Sequence, residues 1–183
     1  MFAEIFNLVI DTVSSLYVMI VLMRFILQLS RADFYNPISQ FVVKATNPLL
    51  ITLRRLIPGI AGIDLASLVL AILVQTVAVG IKVAVLGYAI SNPINIVLLS
   101  AILVASFLIK IYFWSLIIMI VASWIAPGSG HPALLLINQI TEPLMKPFRK
   151  ILPAMGGLDL SPIFAFLTLQ VLETVVSHLM RMI

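Results

Sequence analysis

The sequence predicts an all-α membrane protein in which four transmembrane helices form two parallel helix-hairpin repeats. Three observations support this fold class: the composition, the number of long apolar segments and an internal repeat. Hydrophobic residues make up 62% of the 183-residue chain and charged residues only 10%. Soluble domains are roughly half apolar and about a quarter charged. The composition is therefore typical of a polytopic membrane protein.

Four apolar segments are each long enough to cross about 30 Å of hydrocarbon as a helix. A helix is required there because lipid offers backbone groups no hydrogen-bond partner. No basic segment precedes the first apolar run, so we expect a permanent helix rather than a cleaved signal peptide. The predicted spans cover approximately residues 5–29, 65–90, 96–125 and 162–180.

The connections between these spans differ in length and charge. The short segment "SNPIN" joins spans two and three and carries no charge, whereas the links at about residues 30–64 and 126–161 contain many lysines and arginines. Because basic loops are retained in the cytoplasm, both long links are predicted to be cytoplasmic and both termini periplasmic. Arg181, near the C-terminus, is an exception to this charge distribution.

One polar sequence motif occurs twice, which divides the chain into two repeats, residues 1–90 and 96–183. "TNPLLITLRRLIPGIAGIDLAS" at 46–67 returns 95 positions later, without a gap, as "TEPLMKPFRKILPAMGGLDLSP". Eight of the 22 aligned positions are identical. Each repeat has an even number of spans, so the halves are parallel, related by an axis along the membrane normal. Together they form one membrane domain.

Apolar residues at helical spacing predict short amphipathic interfacial helices in both long links. Asn47-Pro48 and Glu142-Pro143 predict a break followed by a new helix, and hence two short helices per link. We expect the apolar faces to meet lipid or the bundle and the basic heads to meet phosphates. The apolar positions are Ile38, Phe41, Val42, Ala45, Leu134, Ile137, Ile140 and Leu144.

The repeated motif contains a basic pair in each half, Arg54-Arg55 and Arg149-Lys150. Basic residues at the C-terminal end of a helix complement its dipole. They can also anchor the link to anionic lipid headgroups. The same residues could instead form a specific docking site for another membrane or cytoplasmic protein, and both interpretations stay open at this stage.

A glycine turn, "GIAGID" or "AMGGLD", follows each basic pair and leads to an aspartate at the start of the return span. Asp64 and Asp159 can cap the unpaired N–H groups there and complement the positive end of the helix. Ser161 offers an alternative cap in the second repeat. Each aspartate could also pair with the arginine of its repeat or bind a cation.

Four ionisable residues lie inside the predicted spans: Asp11, Lys82, Lys110 and Glu173. Such groups are unfavourable in lipid and generally pair or line a wet cavity. The repeat offset puts Lys110 one turn from the level of Asp11, and Lys82 one turn from the level of Glu173. We therefore predict the pairs Asp11–Lys110 and Lys82–Glu173, each joining the two repeats. Snorkelling to the interface and an ion or proton path are the alternatives.

Recognisable enzyme chemistry is missing from the chain. There is no cysteine, phosphate loop, nucleophile elbow or zinc-protease motif, so we expect no enzyme and no cofactor. Two histidines, His131 and His178, could in principle ligate haem, but their spacing does not pair them. The net charge of +4 is dispersed, so we expect no nucleic-acid partner.

The segment "EPLMKPFRKILPAMGGLDLSPIFAFLTLQ" resembles the YggT/YlmG family of small bacterial and plastid membrane proteins, in particular its two-repeat enterobacterial YggT form. The second repeat carries the whole family pattern over residues 143–162: Pro-Leu, a basic pair, Pro, then Gly-Gly-hydrophobic-Asp-hydrophobic-Ser-Pro. The first repeat departs from it with Ala61-Gly62 and Ala66-Ser67. A role tied to Ser-Pro would then belong to the second repeat alone.

This resemblance implies a bacterial inner-membrane location and several possible settings. Bacterial relatives are encoded beside cell-division genes, and plastid relatives are associated with haem attachment to cytochrome b6 and with nucleoid distribution. Enterobacterial relatives have been linked to osmotic protection and potassium uptake. Two hypotheses follow: a scaffold or assembly factor that docks a partner or lipid through its links, and an ion transporter or modulator that uses the intramembrane charges.

Overall fold

A computed structural model describes residues 1–60, 62–87, 92–151 and 159–183, and these residues form six helices. Four of the helices, α1, α3, α4 and α6, are long and apolar enough to cross a membrane. The chain is thus an all-α membrane protein built from two helix-hairpin repeats, as the sequence predicts. The helices are α1 (Phe2–Leu29), α2 (Pro37–Leu56), α3 (Leu65–Leu86), α4 (Pro93–Ile125), α5 (Pro132–Ile151) and α6 (Ser161–Met180).

The spans end within a few residues of their predicted limits, and local caps explain where. Gly87 follows α3 with φ +70°, a left-handed conformation that glycine adopts without strain. Asn92 precedes α4 and accepts a hydrogen bond from the backbone N–H of Ile94 at 3.0 Å. The predicted end of span two and the first residue of "SNPIN" fall on residues 88–91, outside the described residues.

The two spans of each repeat pack against each other, α1 against α3 and α4 against α6, while α3 against α4 joins the repeats. Leu22, Ile26 and Leu70 belong to a buried cluster that also includes Val104 and Ile111 of α4, whereas Leu116 and Leu169 belong to a second cluster within repeat two. Many large apolar side chains elsewhere on the spans are exposed. Lipid tails are as apolar as leucine, so these side chains are suited to a lipid-facing surface.

Each link contains one continuous amphipathic helix, and the prediction of two short helices per link was wrong. Pro48 lies inside α2, and Pro143 and Pro147 lie inside α5. A proline removes a backbone hydrogen bond and bends a helix, but packing of one face can carry the helix through. Thr46 and Thr141 anchor that face, because both are fully buried and each hydroxyl donates to the carbonyl oxygen four residues earlier at 2.8 Å.

The N-terminal ends of α2 and α5 are tied together. Asn36 caps α2 by accepting a hydrogen bond from the N–H of Ile38 at 2.9 Å, and its Nδ2 donates to the carbonyl of Pro132 at 2.8 Å. The backbone N–H of Asp33 donates to Oε1 of Gln139, also at 2.8 Å. The two link helices therefore meet near the start of α2 and the first half of α5, at one end of the bundle. This end, formed by α2, α5 and the residues that join them to the spans, is termed the link face.

The glycine turn predicted ahead of the return span is present in repeat one. Gly62 adopts φ +83°, and the backbone N–H of Ile63 donates to the carbonyl of Ile60 at 2.9 Å. A side chain at Gly62 would be strained by this left-handed conformation. The corresponding turn of repeat two, with Pro153 and Gly157, falls on residues 152–158, outside the described residues.

Candidate functional site

Arg54 and Asp64 form an ion pair that ties the end of α2 to the start of α3. Nη2 of Arg54 lies 2.5 Å from Oδ2 of Asp64, and Nε lies 3.4 Å from Oδ1. The same Nη2 donates to Oε1 of Gln28 on α1 at 2.9 Å. Arg54 lies in the last turn of α2, where a positive charge also complements the helix dipole. One guanidinium thus joins three helices at the link face.

Asp64 is almost completely buried, with 3% of its side chain exposed. Burial by itself would raise the pKa of Asp64, because it disfavours the charged carboxylate. Hydrogen bonds from Arg54 and Ser67 outweigh burial, so the pKa of Asp64 lies below its ordinary value. Ser67 donates its hydroxyl to Oδ2 and its backbone N–H to Oδ1. Asp64 is therefore a charged N-cap of α3.

Arg149 and Asp159 have the same relation in repeat two, in a more exposed setting. Nε of Arg149 lies 3.3 Å from Oδ2 of Asp159, and Nη1 lies 2.7 Å from Oε2 of Glu142. Hydrogen bonds from the hydroxyl and backbone N–H of Ser161 lower the pKa of Asp159 against the opposing effect of burial, and Arg149 contributes further. Since 40% of Asp159 is exposed, solvent screens this pair.

Asp64 is both helix cap and arginine partner, whereas in repeat two the N-cap of α6 is Leu160 rather than Asp159. Asp159 pairs with Arg149 and also accepts the backbone N–H of Ser161 at 2.9 Å. Ser161 is the first residue of α6, so its prediction as an alternative N-cap was wrong. Repeat one has Ala66 at the position of Ser161 and uses the hydroxyl of Ser67 instead. A serine contact is therefore common to both repeats.

The second residue of each basic pair, Arg55 or Lys150, is exposed. Lys44 on α2 and Lys146 on α5 are exposed as well. Within the part of the chain that the structure describes, none of these four side chains forms an ion pair. They could meet anionic headgroups without breaking an internal contact.

The charges inside the spans pair within each repeat, so the predicted pairs Asp11–Lys110 and Lys82–Glu173 were wrong. Nζ of Lys82 lies 2.6 Å from Oδ1 of Asp11, which joins α3 to α1. Nζ of Lys110 lies 3.7 Å from Oε1 of Glu173, which joins α4 to α6. The reason is that the two spans of one hairpin pack closely along their lengths, whereas α1 makes few contacts with α4.

Ser106 adds a polar contact to the pair in repeat two. Its hydroxyl donates to Oε1 of Glu173 at 3.0 Å. Ser106 lies 95 positions after Asp11, so repeat two carries its acidic residue on the second span and repeat one on the first. A cavity of about 470 Å³ beside the Lys110–Glu173 pair is also lined by Gln170. This pair therefore borders open space within the span region.

The two histidines are not brought together. His131 lies at the link face, and its Nδ1 accepts a hydrogen bond from the N–H of Ala133 at 3.2 Å. His178 lies in the last turn of α6, about 25 Å along that helix from its start. The two imidazoles do not form a haem-ligating pair. In residues 1–60, 62–87, 92–151 and 159–183 no cluster of His, Cys, Asp and Glu is suited to a metal ion.

Several polar partners were missed by sequence reasoning. Two of them carried a signal: Asn36 stands before Pro37, and Ser67 follows Asp64 at the spacing of an N-cap contact. The others join segments that are distant in sequence, for which a single chain carries no signal. These are Gln28, Ser106 and Gln139.

Comparison with known proteins matches the chain twice to the family described as CCB3/YggT, over residues 3–85 and 98–180. These two matches coincide with the two hairpins. No solved structure matches the chain.

Individual relatives match either nearly the whole chain or a length close to one repeat. The chain is 56% identical to an uncharacterized protein of Pseudomonas aeruginosa, over 92% of this chain and 86% of that protein. It is 36% identical to the uncharacterized protein YggT of Escherichia coli K12, over 94% and 89% of the two chains. The uncharacterized protein ycf19 of Guillardia theta is 36% identical over 39% of this chain and 79% of its own length. Such a match is about the length of one repeat.

Proposed function

The chain belongs to the CCB3/YggT family, and from this premise we propose that it is a non-enzymatic membrane scaffold or assembly factor. Its link face docks a partner protein or anionic lipid headgroups, in cell-envelope or division processes. The proposed location is the bacterial inner membrane, with the link face in the cytoplasm and both termini in the periplasm. The concentration of lysine and arginine at the link face supports this orientation.

The observation that carries the proposal is the repeated arginine–aspartate contact. Arg54–Asp64 and Arg149–Asp159 each fix the last turn of a link helix to the start of the return span. The neighbouring basic residues, Arg55 and Lys150, remain exposed at the same end. Each repeat therefore uses one basic residue internally and presents another outward, which supports a fixed positive surface rather than a flexible loop.

The charges in the spans favour a structural role for the membrane region. Asp11 pairs with Lys82, and Lys110 with Glu173, so each hairpin satisfies its own intramembrane charges. Paired groups of opposite sign stabilise helix association in lipid. The link face then remains as the surface that also carries exposed basic residues outside any ion pair of the described residues, Lys44, Arg55, Lys146 and Lys150.

Replacing the four exposed basic side chains of α2 and α5 that form no ion pair among the described residues is expected to lower the preference for anionic over zwitterionic lipid by about tenfold or more. Each lysine or arginine near a membrane surface contributes about 1 kcal/mol of attraction to anionic lipid. Native mass spectrometry of protein extracted from mixed phosphatidylglycerol and phosphatidylcholine bilayers measures this preference. The link-surface variant is Lys44→Gln, Arg55→Gln, Lys146→Gln and Lys150→Gln.

Arg181→Gln provides the matched control, because Arg181 is exposed and follows α6 at the opposite end of the bundle. It is expected to leave the lipid preference close to that of the unchanged chain. Equal preference in the link-surface variant and the unchanged chain would contradict lipid docking at the link face. An equal loss of lipid preference in the Arg181→Gln control would also contradict lipid docking at the link face.

Ion transport, or its modulation in osmotic-stress protection, is the second candidate. One observation favours it: the Lys110–Glu173 pair is longer than the Asp11–Lys82 pair and borders a cavity of about 470 Å³. Ionisable residues beside a cavity in a span can form part of a potassium or proton path. The scaffold is the better supported proposal, because both charges of the pair already have a partner.

A further inference from the structure

A second cavity, of about 240 Å³, lies at the link face between the end of α1 and the first half of α2. Arg24 and Gln28 line it from α1, Arg31 from the following connection and Ser39 from α2. Among the residues that the structure describes, none of those lining it is acidic. Basic pockets between spans near a membrane surface are suited to the phosphates of lipid headgroups.

Two residues that line this cavity have a buried polar atom that forms no hydrogen bond with the described residues. The hydroxyl of Ser39 and Nε of Arg24 are buried, and neither has a hydrogen-bond partner among the residues that the structure describes. Ser39 is only 3% exposed. Buried polar atoms in folded proteins are nearly always hydrogen-bonded, so two unpartnered groups at one cavity indicate a missing acceptor.

The acidic residues nearest to the cavity are already engaged elsewhere. Asp64 is paired with Arg54, and Oδ1 of Asp33 accepts the backbone N–H of Tyr35 at 2.9 Å. Oε1 of Gln28 accepts from Arg54, which leaves its amide nitrogen as a donor. Two arginines, one glutamine and one serine thus line the cavity, and their net charge is positive.

Arg31 occupies a backbone position that favours glycine. Its φ is +51°, and it follows α1 in a Schellman arrangement in which Arg31 N–H bonds the carbonyl of Gln28 and Ala32 N–H bonds that of Leu27. A side chain in this left-handed conformation is unfavourable relative to glycine. Arg31 nevertheless lines the cavity from this strained position.

Repeat two contains an equivalent cavity, and none of the described residues that line it is charged. Each lining residue of the repeat-one cavity has its counterpart, 95 positions later, among the residues that line a cavity of about 450 Å³ at the end of α4. The shape is therefore a property of the repeat, whereas the basic lining belongs to repeat one. Arg24, Gln28, Arg31 and Ser39 correspond to Met119, Ser123, Ala126 and Leu134.

We propose that the repeat-one cavity binds a phosphate-type oxyanion, carried by an anionic lipid headgroup or free in solution, between Arg24, Arg31, Gln28 and Ser39. This site goes beyond the proposed scaffold function, because it needs none of the four basic residues that are replaced in the link-surface variant. This cavity holds one anion at a defined place, whereas the exposed basic residues of α2 and α5 attract many headgroups loosely. The repeat-two cavity has no such role.

Two single variants test the site. Arg24→Met introduces the residue that repeat two carries at this position, and it removes a buried unpartnered donor. Arg31→Gly removes the guanidinium and relieves the left-handed strain, so the helix end is retained. Each is expected to weaken phosphate binding by about tenfold or more, the effect of losing one charge-assisted hydrogen bond. Arg181→Gln removes one positive charge at the far end and should bind as the unchanged chain does.

Binding is measured in two arms on the full chain in phosphatidylcholine nanodiscs. In the first arm inorganic phosphate is titrated at constant ionic strength and the thermal unfolding temperature is followed. In the second arm phosphatidylglycerol is added to the bilayer, and retention of one lipid molecule through extraction is followed by native mass spectrometry. Saturation in the first arm supports a free anion, and saturation in the second arm alone supports a headgroup.

The result that supports the site is saturable binding that Arg24→Met and Arg31→Gly both weaken and Arg181→Gln does not. The link-surface variant should keep the single tightly held phosphate, which separates this site from the scaffold proposal. Absence of saturable binding in both arms would overturn the inference. Equal binding by the unchanged chain and the two cavity variants would overturn it as well.

Discussion

Replacing Arg54 with alanine is expected to lower the free energy of unfolding by about 3 kcal/mol, the lower end of the range for breaking a buried ion pair. The loss arises because Asp64, with 3% of its side chain exposed, would be left charged and without its main partner. Gln28 would lose its contact at the same time. Thermal unfolding of the purified protein in detergent measures the change, with the amount of protein in the membrane as a second readout.

Repeat two supplies the matched control for this prediction. Arg149→Ala breaks the corresponding contact to Asp159, but both side chains are about two-fifths exposed and water replaces the lost interactions. The expected loss is below about 1 kcal/mol, as for exposed ion pairs. If Arg149→Ala destabilised the protein as much as Arg54→Ala, the difference in burial between the two contacts could not be the determining factor.

Introducing a second positive charge beside Lys82 is expected to be nearly as harmful. Asp11→Lys removes the partner at 2.6 Å and leaves two like charges between α1 and α3. The expected destabilisation is up to about 2.5 kcal/mol, the lower limit for an unpaired charge at the centre of a span, because Lys82 lies four residues before the end of α3. The double variant Asp11→Lys, Lys82→Asp restores opposite charges and should recover most of the stability.

A second double variant distinguishes the observed pairing from the one that the sequence predicts. Asp11→Lys combined with Lys110→Asp would restore the charges of an Asp11–Lys110 pair between the repeats. It should recover nothing, because Lys110 lies beside Glu173 and the exchange would place two acidic groups together. Recovery in this variant, and none with Lys82→Asp, would show that α1 pairs with α4 in the membrane.

The architecture could be predicted from the sequence because it depends on quantities that a single chain displays. The length of an apolar segment fixes whether it can span a membrane, and the 95-residue offset reveals the two hairpins directly. The arginine–aspartate contacts could also be predicted from the sequence, since Arg54 and Asp64 are only ten residues apart and flank one turn. Local interactions of this kind leave a recognisable motif.

The pairing of the intramembrane charges could not be predicted, because depth does not determine which helices are neighbours. The repeat offset gave the levels of Asp11 and Lys110 in the membrane but not the packing of α1 against α3. The prediction of helix breaks at Pro48 and Pro143 was wrong for a related reason. Whether a proline ends a helix depends on tertiary packing, here the buried faces at Thr46 and Thr141.

The repeat-one cavity shows the same limit. Arg24 and Arg31 are visible in the sequence, but one lies in a span and the other in a link, and nothing in their spacing brings them to Ser39. The equivalent cavity of repeat two has methionine and alanine in place of the arginines, so the basic lining is not a property of the repeated motif.

We propose that the link face carries the function and that the charges in the spans hold the hairpins together. Potassium and proton flux into liposomes reconstituted with the full chain distinguishes this proposal from ion transport. We expect no flux above that of protein-free liposomes, since Lys110 is paired with Glu173 and Lys82 with Asp11. A flux that depends on the protein and disappears in Lys110→Gln or Glu173→Gln would contradict it.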